Sequence, residues 1–595
     1  MWKRVYARIR EAARRRPRRQ DFRGLATGCI SLLAAYPAAM LWMAFGPFAV
    51  YPPKGYIDPW FYTGYFSNFT YLLSRGGITY YVSRLPWILP GRLAFGIAGA
   101  QAGSLLLSAG VVTLGAVSLY WIVRWHYGGV PAALAAIAWC TNPYVMASAC
   151  WQYPDGPVLA YAMAGLALYL RPTGNRRWNS FWAAALLVVA GATNMSGGLM
   201  ILSILAVPLW RSLRSWKEFL KETACSVAGA GAAAWVLSRI SQAVLGSPHF
   251  LQPQINQTLY AMHTPGYLAG MWGTGPGFLV GAVRLFPPVF LLIFGPALLI
   301  AVRKPAAAAW PVYLSLCICL ALYAVEEFAM HGVALRVHYH SSYMMVVVMA
   351  FAGVAMGELW TRSPGRGRGA LISAGALGAG AITLSLVFNT LALPPPGGHT
   401  WVRLALLGVA GVVLAMLARR PKLPVQVLTI ALVLAILFLG PALDWNSTGY
   451  VWTGVKFPHG SNLTSNGNAD DFRHLMEVES FIASHVDGSR DLAFWWDKDE
   501  PHTGFFTSAA ALFTCGHSDI GKGLRTGDME AMRYFFPYTR TIVHLSANPE
   551  RIAEGTQLMA AHGIVVGNER RTAMEYAGLP FVLVMQDVID SSRLH

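Results

Sequence analysis

The sequence predicts a polytopic α-helical membrane protein of about 13 transmembrane helices, with a C-terminal extracytoplasmic α/β domain. Three observations lead there. Charged residues make up 12% of the chain, about half the share usual in soluble domains, and 55% of it is apolar. Apolar runs near the length needed to cross a bilayer recur from residue 25 to residue 443. Beyond residue 444 Asp, Glu, His, Asn and Ser return, and the pattern shifts to short strands and amphipathic helices.

The elements follow in order. Residues 1–24 form a basic arm whose charged stretch is too long for a signal peptide and no convincing cleavage site follows, so a retained cytoplasmic arm is expected. Spans are expected near 25–50, 93–123, 130–149, 156–171, 179–192, 195–210, 223–245, 277–302, 306–328, 341–360, 370–393, 401–418 and 424–443. The fifth and sixth are short and meet at Gly191-Ala-Thr-Asn-Met-Ser-Gly-Gly198. Reading them as a broken hairpin keeps the basic segments on either side in one compartment. Backbone freed at such a break needs protein or water partners. The outer loops are then 51–92, 149–156, 246–276, 329–340 and 394–400. In the 444–595 tail a helix is expected over 470–486 and another over 548–562, with strands at 491–496, 541–545, 563–566 and 580–585.

The net charge of +18 raises nucleic acid as a partner, but its distribution argues against one. Lys and Arg gather in Lys3–Arg23, at Arg124, Arg171/Arg176/Arg177, Arg211/Arg214/Lys217/Lys221, Arg303/Lys304, Arg362/Arg366/Arg368 and Arg419/Arg420/Lys422. These are alternate gaps between spans, the positive-inside pattern. It places the chain as a multi-pass protein of the plasma or inner membrane, N-terminus cytoplasmic and tail outside, in contact with membrane lipids. The seven cysteines show no metal spacing, and unpaired buried thiols are expected, a Cys140–Cys150 disulfide being the alternative.

Polar residues that suit chemistry collect on the outer side. The first outer loop opens on Tyr56-Ile-Asp58-Pro-Trp-Phe-Tyr62 after Lys54, continues through Arg75, and closes on Tyr80-Tyr81-Val-Ser-Arg84-Leu-Pro-Trp87 and Arg92. The second reads Trp151-Gln-Tyr-Pro-Asp155, and a later one Arg336-Val-His338-Tyr-His340-Ser-Ser-Tyr343. By position alone Asp58 and Asp155 also suit helix N-termini, the arginines suit ion pairs, and the aromatics suit interfacial anchors.

In order and topology these four features resemble the GT-C superfamily of membrane glycosyltransferases. The likeness is to the family 39-like branch, with protein O-mannosyltransferases and lipid A aminoarabinose transferases, and it covers roughly residues 25–345. Several relatives carry Asp-Glu where this chain has Asp58-Pro59, so a second adjacent acid is missing or moved. The resemblance implies an inverting glycosyltransferase of the cell envelope. It would take a sugar from a polyprenyl-phosphate donor to a hydroxyl of a glycan, lipid or protein acceptor on the outer face.

Asp58 is then the expected general base, with Asp155 helping to orient the acceptor or to hold a divalent cation such as Mg or Mn, should one be used. Lys54, Arg75, Arg84, Arg92, Arg336, His338 and His340 are the candidates for the leaving phosphate, and Tyr62, Tyr81 and Tyr343 for substrate contact. A transporter or flippase for a lipid-linked saccharide is the alternative. It predicts paired repeats and polar breaks in both halves, whereas the sequence shows no repeat and keeps its polar residues to one face. A structural assembly subunit is a third reading, and it makes Asp58 dispensable.

Overall fold

The structure is a computed structural model. It describes residues 57–149, 152–172, 174–212, 215–263, 305–330, 342–362, 465–485, 492–495, 539–576 and 579–590, with 291–292, 295–296 and 299. The expected spans 25–50, 370–393, 401–418 and 424–443 lie outside the described residues, as does most of 277–302.

The stretch expected as the first outer loop is largely helical. Helix α1 (Ile57–Gly76) carries Asp58 in its first turn and bends at Asn68, whose backbone is not helical. A tight turn then leads to α2 (Leu85–Tyr127), which starts with Pro86 near its first position, where a missing N–H costs nothing. At 43 residues α2 is about twice as long as a bilayer needs. Gly99 divides it with a left-handed φ of 75°, a conformation that only glycine adopts without strain. The expected 93–123 span therefore begins earlier and has a break in it.

The expected span 130–149 is corrected to two helices, α3 (Gly129–Thr141) and α4 (Pro143–Ala149). The Asn142 side chain between them accepts from the N–H groups of Tyr144 at 3.0 Å and Val145 at 3.1 Å. That is an N-cap followed by proline, a start signal embedded in an apolar run. Cys140, near the end of α3, is a buried free thiol; Cys150, its alternative partner, lies outside the described residues.

Helix α5 (Asp155–Leu170) is almost wholly buried and packs against α6 (Arg176–Thr193) and α2. The chain then breaks where the sequence predicts, at Asn194 and a short 3-10 turn, before α7 (Gly198–Ile204) and α8 (Ala206–Ser212). Gln254, buried on α10 (Gln252–His263), supplies the partners that such a break requires. Its amide donates to the Ala192 carbonyl at 2.9 Å and accepts from Met195 N–H at 3.3 Å. Helix α10 falls in a segment expected as loop. Before it, α9 (Trp216–Leu245) lies along α6.

Helix α11 (Ala309–Ala324) passes into a π turn, Val325–Ala329, that carries Glu326 and a buried Glu327. Helix α12 (Met345–Arg362) follows a 3-10 turn at Ser342–Met344. Among the described residues three helical stretches are long and apolar enough to cross a membrane: Leu85–Tyr127, Ala309–Ala329 and Ser342–Thr361. Ile97, Val227 and Trp235 stand 76%, 66% and 66% exposed. Large apolar side chains turned outward in this way suit a lipid environment.

The tail contributes α13 (Ser465–His485), β1 (Leu492–Trp495), β2 (Thr541–Ser546), α14 (Pro549–Ala561), β3 (Val565–Tyr576) and β4 (Leu579–Asp590). The sheet order is β1-β2-β4-β3, with β1 parallel to β2 and the other pairs antiparallel. β3 and β4 run well past the apolar cores read as 563–566 and 580–585. Glu569, Arg570 and Arg571 carry no apolar signal, yet Arg570 and Arg571 pair in register with Met585 and Val584. Phe472 of α13 stacks on Trp60 of α1 at 6.1 Å between ring centroids. The tail therefore meets the helical bundle close to Asp58, on the same first turn of α1.

Candidate active site

Two polar layers meet where α1, the turn before α2, the start of α5 and the break at Asn194 come together. The outer layer centres on Asp58, which is partly exposed. Tyr81 donates to its Oδ1 at 2.7 Å, and Tyr153 to its Oδ2 at 3.4 Å. Each carboxylate oxygen thus receives one phenol and keeps further acceptor capacity. Burial, with Asp58 beside it, raises the Tyr81 phenol far above its ordinary range, so it stays protonated and acts as a donor. Tyr62 lies edge-on to Tyr81 at 5.6 Å and to Tyr153 at 5.7 Å, joining this layer to the one beneath.

The inner layer is buried. Asp155 is 0% exposed and Arg84 7%. The Arg84 guanidinium donates through NH1 to the Tyr62 hydroxyl and through NH2 to Asn194 Oδ1, the latter at 3.3 Å. It also faces the Tyr80 ring, 5.1 Å from its centroid. Asn194 Nδ2 donates to Asp155 Oδ1 at 3.0 Å and to the Tyr343 hydroxyl at 2.9 Å, while Tyr343 donates to Asp155 Oδ1. Among the described residues, two buried atoms of this layer have no hydrogen-bond partner: Arg84 Nε and Asp155 Oδ2.

Local backbone features aim these groups. Gln152 adopts φ of 59°, unusual for a residue with a side chain. It is held there by its own bond to the Ser104 carbonyl at 3.1 Å and by Trp87 Nε1 donating to its carbonyl at 3.3 Å. The turn it makes sends Tyr153 to Asp58 and, two residues on, Asp155 to the inner layer. Gly156 lets the start of α5 press onto α4: a Cβ there would lie 2.5 Å from the Ser148 carbonyl oxygen.

The structure thus brings together Asp58, Tyr62, Tyr81, Arg84, Asp155 and Tyr343 of the residues picked from sequence. Arg92 is placed elsewhere, exposed and 4.5 Å over the Phe69 ring. Lys54, Arg336, His338, His340 and the side chain of Arg75 lie outside the described residues. Sequence reasoning does not select Tyr153 or Asn194. Tyr153 sits in the quoted motif beside Asp155, and Asn194 is visible only as the polar residue at a helix break.

No family model matches the chain, and no curated protein matches it. Among solved structures it is similar to ArnT from Cupriavidus metallidurans bound to undecaprenyl phosphate, with 14% identity over 93% of this chain and 97% of that chain and a TM-score of 0.45. The apo form of ArnT gives the same identity and coverage with a TM-score of 0.46. The likeness extends to the apo Archaeoglobus fulgidus oligosaccharyltransferase, at 11% identity over 88% of this chain and 70% of that chain, TM-score 0.39. Scores this low carry neither a residue role nor a substrate from one protein to another.

Among the described residues no group of three His, Cys, Asp or Glu side chains comes together. Asp155 is surrounded by an amide and a phenol, a weak donor set for a hard divalent ion. What the two layers can do is hold one accessible carboxylate and one buried guanidinium a short distance apart, with phenols between them.

Proposed function

We propose that this chain is an inverting glycosyltransferase that moves a sugar from a polyprenyl-phosphate donor to an acceptor hydroxyl at the outer face of the membrane. The observation that carries the reading is the split between Asp58 and Arg84. A partly exposed carboxylate is linked, through Tyr81, Tyr153 and Tyr62, to a buried and permanently charged guanidinium. Transfer needs both functions at once. The acceptor oxygen forms a bond to the anomeric carbon while the bond from that carbon to the phosphate oxygen breaks. The acceptor proton goes to Asp58, and the electron pair leaves with the polyprenyl phosphate, whose charge Arg84 offsets.

Asp58 suits the base better than Asp155 does. Both of its oxygens are held by phenol donors that fix the carboxylate plane, yet it remains accessible. Asp155 is enclosed, and its Oδ1 is already engaged by Asn194 and Tyr343. Its role in this reading is to hold Asn194 and Tyr343 in place. Tyr62 and Tyr81 line the path between the two charges and offer faces and hydroxyls to a sugar. Lys54, Arg75, Arg336, His338 and His340 stay in the same proposal as further candidate phosphate ligands.

The test is reconstitution of the purified chain in vesicles containing polyprenyl-phosphate sugars and extracted acceptors. The expected result is release of polyprenyl phosphate with matching glycosylation of an acceptor. Asp58→Asn should abolish it without altering the melting temperature. Sugar appearing across the vesicle with no release of polyprenyl phosphate would replace this reading with a flippase.

A further inference from the structure

Asn194 is saturated in a way that few buried amides are. Its Oδ1 accepts from Arg84 NH2 at 3.3 Å and from Ser196 N–H at 3.2 Å, and its Nδ2 donates to Asp155 Oδ1 at 3.0 Å and to the Tyr343 hydroxyl at 2.9 Å. An amide offers two donors and one acceptor oxygen with two lone pairs, so every site is used. The pattern also fixes its orientation, since a flipped amide would point N–H groups at the guanidinium and at a backbone N–H. Its backbone is equally determined. The residue stands at the break between α6 and the 3-10 turn, and Gln254 holds the chain on both sides of it at Ala192 and Met195.

We infer that Asn194 is the positioning residue that sets Arg84 for an anionic phosphate headgroup, by fixing the guanidinium against Asp155 and Tyr343 through one rigid amide. The inference rests on the transferase reading for the identity of that headgroup. Three features of the layer support it. Arg84 makes no described ion pair with Asp155, so the amide is what links the cation to the carboxylate. Among the described residues the guanidinium keeps a buried Nε with no hydrogen-bond partner, a donor that a phosphate oxygen would satisfy. Lastly, a neutral amide orients the cation without cancelling its charge, which a carboxylate in the same place would do.

The experiment uses the full chain in nanodiscs and measures affinity for polyprenyl phosphate, alongside turnover with polyprenyl-phosphate sugars. Asn194→Asp keeps the shape and the oxygen that faces Arg84, but sets a second carboxylate against Asp155. At alkaline pH its affinity relative to wild type should fall roughly tenfold or more, the effect of losing hydrogen bonds to charged groups. On acidification the ratio to wild type should recover in part, because the introduced carboxyl group, once protonated, donates one of the amide's two hydrogen bonds and no longer repels Asp155. Asp155 beside it raises the pH at which it takes up that proton, and the Arg84 guanidinium facing its other oxygen lowers it. Comparing ratios at each pH cancels titration of the phosphate itself. Asn194→Leu should show a loss that no pH restores.

An Asn194→Asp protein that binds like wild type at all pH values overturns the inference. So does a loss that stays as deep at low pH as that of Asn194→Leu. If wild type binds polyprenyl phosphate but transfers no sugar, the transferase reading falls while the affinity series still decides on Asn194. If wild type binds none, both fall.

Discussion

Asp58 and Asp155 are the same residue type in the same local setting, and the structure gives them opposite surroundings. Each sits in the first turn of a helix, α1 or α5. Each accepts a hydrogen bond from a tyrosine hydroxyl. Yet Asp58 is partly open and held by two phenols only, while Asp155 is enclosed and locked to an amide that also holds a guanidinium. A carboxylate that must take a proton from a substrate needs the first environment. One that must keep other side chains in place needs the second. Residue type and helix position nominate both, and access and partners tell them apart.

The contrast can be broken or sharpened by substitution. The largest effect is expected at Asp58: Asp58→Asn should cut kcat by about 10²–10⁴, the usual worth of a positioned general base, with the fold intact by thermal melting. Equal loss in the two Asp→Asn variants would erase the distinction drawn between them. Arg84→Met should follow, lowering turnover by about 10²-fold. It should raise KM for the lipid-linked donor while leaving the acceptor KM nearly unchanged, a split measured by initial rates. For Asp155→Asn the expectation is a fall of about tenfold in kcat, because the replaced group orients others and touches no substrate. The smallest effects fall on the phenols. Tyr81→Phe should cost about 3- to 10-fold in kcat, and Tyr153→Phe less, since its bond to Asp58 is longer. A Tyr153→Phe protein weaker than Tyr81→Phe would mean that the 3.4 Å contact tightens when substrate is present.

Much of the architecture is legible in the chain alone, and the misses have physical causes. Asp58, Arg84, Asp155 and Tyr343 stand out because polar residues at the mouths of apolar runs are conspicuous. The break near Asn194 stands out because glycine and asparagine interrupt an apolar pattern. What Asn194 does is hidden, since its partners are 39, 110 and 149 residues away in the chain. No local pattern encodes the meeting of four segments. The division of 130–149 escapes notice for a different reason. Asn142-Pro143 is a cap and helix start, but its two residues are outvoted by the apolar side chains around them. Helix α1 reads as loop because aromatics and polar residues alternate without a clean apolar stripe. The polar halves of β3 and β4 are lost in the same way, for pairing across a sheet leaves no trace in hydropathy.

The stack of Phe472 on Trp60 ties the handling of this protein to its tail. The two rings cover each other's faces at the rim of the Asp58 layer. A chain trimmed at the start of α13 to obtain a smaller membrane core would bare the Trp60 indole beside the Asp58 layer and the Phe472 ring on the severed piece. Each fragment would carry a sticky surface that the other normally shields. Shortened versions should therefore end after the sheet, or carry a polar replacement at Trp60, before any change in their activity is blamed on the missing tail.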